Sequence, residues 1–348
     1  MTKRIILIST LALLCGWPAF DGFCQGNATT RKAPAEIVAS AQSFLALLDE
    51  AQRSNVVYDF KDDVQRRRWS NLPTTFVRRG GLRLGALTQP QRAAAMALVA
   101  AALSPQGFQK VTEIVEGDEV LKRNDSGGPG GPGGPAMFGR DEYYISILGQ
   151  PSPTEPWMIQ FGGHHLGLNL TLAGTNATIA PSHTGSQPAS YAFEGQTIRP
   201  LGGEMDKAFA LLTALDEPQR KQAILGFQMH DLVLGPGRDG RTIEPEGIKG
   251  SAMNDRQRAM LVDLAGEWIG IMSEDAARTK MDDLKQHLAE TWFSWSGPME
   301  KGKGYFRIQG PTVFIEYAPQ SLGGDITQHI HTIYRDPQND YGVEWWKH

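Results

Sequence analysis

The chain has 348 residues, 34 lysines and arginines against 38 aspartates and glutamates, and a formal net charge of -4 at pH 7. A mildly acidic chain with no basic face built up argues against a nucleic-acid partner, because neutralising phosphates takes clustered lysine and arginine. Its two cysteines, Cys15 and Cys24, fall near the N-terminus, so the rest of the chain has no disulfide of its own and must be held by packing.

In chain order, Lys3 and Arg4 precede an apolar run from Ile5 to Trp17 that is too short to span a bilayer, and small and polar residues follow from Gly22 to Asn27. Residues 1–26 read as a secretory signal peptide cut after Cys24 or Gly26, which makes the protein secreted or periplasmic. Leu14 and Phe23 stand where a lipobox wants a small residue, which argues against lipidation. No later stretch is long and apolar enough for a membrane span, and residues 27–348 read as a single domain.

From about Pro34 to Asp49, Ile37, Phe44, Leu45, Leu47 and Leu48 recur at helical spacing. Arg66-Arg67-Arg68 and Arg78-Arg79 read as a solvated helix end and a strand edge. Three further helix starts share one pattern, a cap residue followed three positions on by glutamine: Thr88 with Gln91, Asp216 with Gln219, and Asn254 with Gln257. The repetition could mark a duplication, but three short matches are weak evidence for one, and convergent capping chemistry is the expected cause. The glycine-proline tract at 126–135 reads as a flexible surface loop.

Strands are expected at Tyr143–Leu148, Trp157–Phe161, His165–Ala173, Thr178–Pro181, Tyr305–Gln309, Thr312–Tyr317 and Ile330–Arg335, with Gly174-Thr175-Asn176 as a turn. Long helical crossovers between neighbours are mostly absent. The expected fold is α+β, an antiparallel sheet of about six strands covered by helices on one side.

Four of the eight histidines sit in two short segments far apart in the chain, His164-His165 and His329-Ile330-His331. In a regular strand His165 and Asn169 share one face, with Gly167 leaving room above the sheet, while His164 joins the leucines of the other. His164 is then either a buried, hydrogen-bonded imidazole or one turned outward by a bulge at Gly162-Gly163. His329 and His331 share a face, and imidazoles at i and i+2 can chelate one ion. The four histidines are therefore the expected metal ligands, with Zn(II) the expected ion. Glu316, the lone charge in an apolar strand, is a candidate catalytic carboxylate, although it could instead pair with Arg307 or Arg335. Asp340, in the turn-rich stretch after Arg335, is a second such candidate, and Asn169 and Arg335 are candidates for holding a ligand. His183 could line the same edge. No Gly-x-Ser-x-Gly elbow, P-loop or His-Glu-x-x-His helix is present.

The segment WMIQFGGHHLGLNLTL, the Phe-Glu-Gly and Gly-Gly-Glu stretches between 193 and 204, and YFRIQGPTVFIEY with HIHTIYRDPQNDYG together resemble the bacterial family DUF3500, over about residues 35–345. The resemblance implies that both histidine segments belong to one domain and implies no activity. From the residues, the expectation is a metal-dependent enzyme, a hydrolase, acting on a small molecule. The alternative is a non-catalytic protein that captures a metal or small ligand in the envelope. A metal-free pocket using His165, His329 and Asp340 as acid and base groups is the third reading.

Overall fold

The computed structural model describes residues 34–124, 137–322 and 324–347; the signal peptide read at 1–26 and the tract at 126–135 lie outside the described residues. The first half of the chain runs α1 (Pro34–Ala46), α2 (Glu50–Val56), β1 (Val57–Tyr58), α3 (Asp63–Arg66), β2 (Leu82–Arg83), α4 (Gln89–Ala102) and α5 (Pro105–Asn124). It continues through β3 (Tyr144–Leu148), β4 (Trp157–Gly163), β5 (Leu166–Ala173), β6 (Asn176–Thr178) and β7 (Ser182–Ser186). A separate hairpin, β8 (Tyr191–Phe193) and β9 (Gln196–Ile198), leads to the second half. That half runs α6 (Gly202–Ala214), α7 (Glu217–Ala223), β10 (Ile248–Lys249), α8 (Asp255–Ile269), α9 (Glu274–Gln286), β11 (Trp292–Ser296), β12 (Tyr305–Gln309), β13 (Phe314–Pro319) and β14 (Ile330–Arg335).

One sheet of 12 strands carries both halves, in the order β1-β3-β4-β5-β7-β14-β13-β12-β11-β10, with β2 on β3 and β6 on β5. This corrects the expected six antiparallel strands. The sheet is about twice as wide, and it is mixed, because β1 runs parallel to β3. Helices do cover one face: Phe44 of α1, Leu98 of α4, Leu211 of α6 and Trp268 of α8 pack in one buried cluster with Ile145, Phe161, Leu168, Phe293, Phe306 and Ile315. Side chains of that size contribute roughly 1.5–3 kcal/mol each when fully buried. Period-2 alternation sends the polar set, Ser146, Gln160, Asn169, His183, Ser294, Arg307, Glu316 and His331, to the opposite face. There the irregular segments 59–81 and 225–247 lie over them, with Gln65 bonded to Gln160 at 3.0 Å and the Val233 amide to Glu316 at 2.8 Å.

The two halves repeat one another. In each, a helix with a glutamine cap leads to a residue pairing in parallel with the edge hairpin, Val57 with Ile147 and Ile224 with Trp295. A two-residue antiparallel strand and a second glutamine-capped helix follow, then three strands in a meander. The capping glutamines explain why the pattern recurs. Gln91 Nε2 donates to Gln52 Oε1 at 2.8 Å, and Gln257 Nε2 to Gln219 Oε1 at 2.7 Å, so each pair ties two helix starts together as well as capping them. Gly81 and Gly247 match too: both have positive φ, and a Cβ on either would sit 2.1 Å and 2.2 Å from the carbonyls of Ile145 and Phe293 respectively. Duplication, not convergent capping, accounts for the repeated starts. The halves meet where β7 and β14 pair antiparallel, Ser182 opposite Tyr334, which is the arrangement a local two-fold axis requires.

Candidate metal centre

The histidines converge at that seam. His164 and His165 form the two-residue turn between β4 and β5, whose flanking residues Gly163 and Leu166 are paired. The turn cancels the strand alternation expected there and brings the two rings together, 3.7 Å between centroids and tilted by 41°. His165 has a φ of 54°, in the left-handed region where glycine is the easy choice, so the fold holds an imidazole at a position that costs it conformational energy. His329 and His331 arrive from the second half, at the start of β14.

His165 Nε2 lies 2.9 Å from His329 Nε2, and His329 Nε2 lies 3.1 Å from His331 Nε2. The three rings are buried, with 2 to 6% of each residue exposed. Burial, and then the neighbouring imidazoles, push His329 down to about 4; burial also lowers His331 and takes His165 well below the usual range, so all three are neutral near pH 7. A neutral imidazole carries one proton. His329 Nδ1 lies 2.7 Å from the Leu322 carbonyl, which can only accept, so the proton is on Nδ1 and the Nε2 lone pair faces the centre. His331 Nδ1 faces Asp231 Oδ1 at 3.4 Å and Asn71 Nδ2 at 3.2 Å. Where Asp231 rather than the Asn71 amide partners Nδ1, the proton sits there and the Nε2 lone pair also points inward. Two lone pairs 3.1 Å apart then repel unless a cation lies between them. A tetrahedral Zn(II) with bonds of about 2.0–2.1 Å holds its ligand nitrogens roughly 3.3–3.4 Å apart, close to what is seen. The residues present therefore fit an ion.

Asp118, on α5, lies 2.6 Å from His164 Nδ1 and also accepts from the Gly139 amide at 2.9 Å. Asp118, His164 and His165 make a second buried set whose ligand atoms lie within 4.8 Å of one another, so His165 belongs to both. Asp118, Asp231, Asn71 and the Leu322 carbonyl escaped sequence reading, since nothing local marks a helix acid or a loop carbonyl as the partner of a distant ring. His183 does lie beside the centre, its ring 5.4 Å from that of His331.

The four remaining candidates bond elsewhere. Glu316 accepts from the amides of Val233 and Leu234 and from the Tyr305 hydroxyl, at 2.8, 2.8 and 2.6 Å. Asn169 bridges Gln160 and the Pro181 carbonyl, each at 2.8 Å. Arg335 pairs with Asp340 at 2.7 Å and Asp239 at 3.1 Å, and binds the Leu234 carbonyl. Strand alternation puts most of these expected site residues on the polar face, where their hydrogen-bond partners are the covering loops and neighbouring strands.

Asp231 offers a graded test of the centre. Residues that orient a ligating imidazole are worth about 10–100-fold in metal affinity, and the 3.4 Å contact from a half-exposed carboxylate puts Asp231→Asn near the lower end of that range. A chelator competition titration should read a loss of about tenfold.

Together, fold and centre define a duplicated α/β protein with a cluster of three neutral histidines at the junction of its repeats. The chain belongs to the family described as protein of unknown function (DUF3500), whose model matches residues 30–343. No curated protein matches it, and no solved structure does. Among the described residues no helix is long and apolar enough to cross a membrane.

Proposed function

We propose that this is a metal-binding protein of the cell envelope or the surrounding medium, delivered by the leader read in residues 1–26, and that His165, His329 and His331 hold one divalent transition-metal ion through Nε2. One observation carries the reading: His329 Nε2 lies 2.9 Å from His165 Nε2 and 3.1 Å from His331 Nε2, inside a buried cluster whose rings resist protonation. An all-imidazole set suits Zn(II), and Cu(II) would bind more tightly still where it is available. Retention of the ion is favoured over turnover, because the carboxylates expected to act as bases, Glu316 and Asp340, are fully engaged by other groups.

The test is metal loading of the purified full chain. After chelation and exposure to equimolar Zn(II), elemental analysis should return one ion per chain, retained through gel filtration. A chain that returns none, with Cu(II) and Co(II) also failing, would sink the proposal.

A hydrolase remains the second reading, and one contact favours it. Asp118 orients His164 at 2.6 Å, and the His164 ring lies 3.7 Å from that of His165, so with a metal held there His164 would be placed to act as a general base. Under that reading the His164→Ala variant keeps its zinc and loses turnover.

A further inference from the structure

His183 is not one of the three converging nitrogens, yet it has the chemistry of a ligand and no other employment. It is 0% exposed, at the centre of the sheet on β7, the strand that pairs with β14. Apart from a backbone interaction with Thr332, its ring is unserved: neither Nδ1 nor Nε2 has a hydrogen-bond partner that meets ordinary geometry. With one ring nitrogen protonated, the other carries a lone pair with nothing to receive it. A buried polar nitrogen left unpaired costs about 1–3 kcal/mol, and native folds seldom tolerate one without a ligand, ion or water to satisfy it.

The position of Gly185 shows where that nitrogen points. Gly185 stands directly opposite His331 in the register, so no side chain fills the space beside the His331 ring. A Cβ built on it would lie 3.1 Å from His183 Nε2 and 3.1 Å from His165 Cδ2, and 2.7 Å from the Ile330 carbonyl. His183 Nε2 and the ligand edge of His165 thus border one small space, with His331 alongside. Two imidazoles on one tetrahedral ion, each with its centroid roughly 3.2 Å from the metal, have centroids about 5.2 Å apart. His183 and His331 are at 5.4 Å and His165 and His331 at 5.3 Å, with His329 at 4.8 Å from both His165 and His331; His183 stands just outside the converged set, so its ring must swing toward the ion to join it.

We infer that His183 is the fourth ligand, closing a four-imidazole site with no position left for water. This deepens the metal-binding reading and rests on it. It also separates the two functions, since a closed site stores or stabilises while an open one can catalyse.

The experiment uses the full chain loaded with Co(II). X-ray absorption on the unaltered protein counts coordinated imidazoles without any variant, and the visible spectrum reports whether water or an added anion such as azide reaches the metal. Expected are four imidazoles, the intense bands of four-coordinate cobalt, and no response to azide. His183→Ala should still bind cobalt through the other three rings, with affinity reduced about tenfold or more, should count three imidazoles, and should become azide-sensitive. Three imidazoles plus water in the unaltered protein, with azide binding already present, overturns the assignment of His183 and leaves the three-histidine centre standing. Failure to bind cobalt at all overturns both.

Discussion

His329→Ala should strip the protein of its metal. The His329 Nε2 is the middle member of the cluster, 2.9 Å from the His165 nitrogen and 3.1 Å from the His331 nitrogen, so its removal takes away the nitrogen that stands closest to both others. Merely disturbing a residue that orients a ligand costs about 10–100-fold, and losing a ligand outright should exceed about a hundredfold. The measurement is metal content after dialysis against a weak chelator, with competition against a chromophoric chelator for the residual affinity. His287→Ala serves as control, since its half-exposed ring contacts only Asp283 of its own helix. Equal metal content in His329→Ala and the unaltered chain would remove the centre from consideration. The change should also free the loop through Leu322, whose carbonyl loses the imidazole proton it accepts.

Glu316→Ala should unfold the protein more readily than any other single change on the polar face. The carboxylate is fully buried and meets three donors, the amides of Val233 and Leu234 and the Tyr305 hydroxyl, with Arg307 directly across the strand pair. Burial pushes its carboxyl up, while those donors pull the other way by stabilising the ionised form. Truncation leaves the amides and the hydroxyl without an acceptor, while Arg307 keeps its ion pair with Glu246 at 2.9 Å; at about 1–3 kcal/mol for each donor left unsatisfied, the loss is about 3 kcal/mol or more. A fall in urea midpoint at unchanged slope would register it. Glu316→Gln should recover only part, because one of its two oxygens becomes a donor facing donors. If Glu316 served chemistry instead, the alanine variant would hold its stability and lose only activity. Because the same loop carries Asp231, the variant should bind metal more weakly as well.

Much of this architecture could be read from the residues, and the gaps have physical causes. Cap chemistry at Thr88, Asp216 and Asn254 is local, so it was legible; the Gln52–Gln91 and Gln219–Gln257 pairs that make it a duplication span about 40 residues and were not. β7 reads Ser-His-Thr-Gly-Ser, small and polar, with none of the β-branched aliphatics that announce a strand, although it is fully buried at the middle of the sheet. β1, β2 and β10 are two residues each, below any periodic signal. β11 alternates as plainly as β3, Phe293 and Trp295 into the core and Ser294 and Ser296 away, so it was legible although it is not among the expected strands. At the centre, the histidines themselves were evident from composition. Their convergence was not, because a regular strand would have split His164 from His165, and the turn between β4 and β5 is set by pairing across the sheet.

The proposed ligands come from both repeats, His165 from the first and His329 and His331 from the second, and the repeats also join through the β7–β14 pair, the Leu103–Met272 bridge, the Lys110–Glu204 ion pair and the packing of Trp69 with Leu234, Phe314 and Ile333. An ion held there acts as a rivet across the join, and neither repeat expressed alone could grip it. Since anything that binds only the assembled form adds to its stability in proportion to the logarithm of its free concentration, the strength of the whole molecule becomes a gauge of how much metal surrounds it.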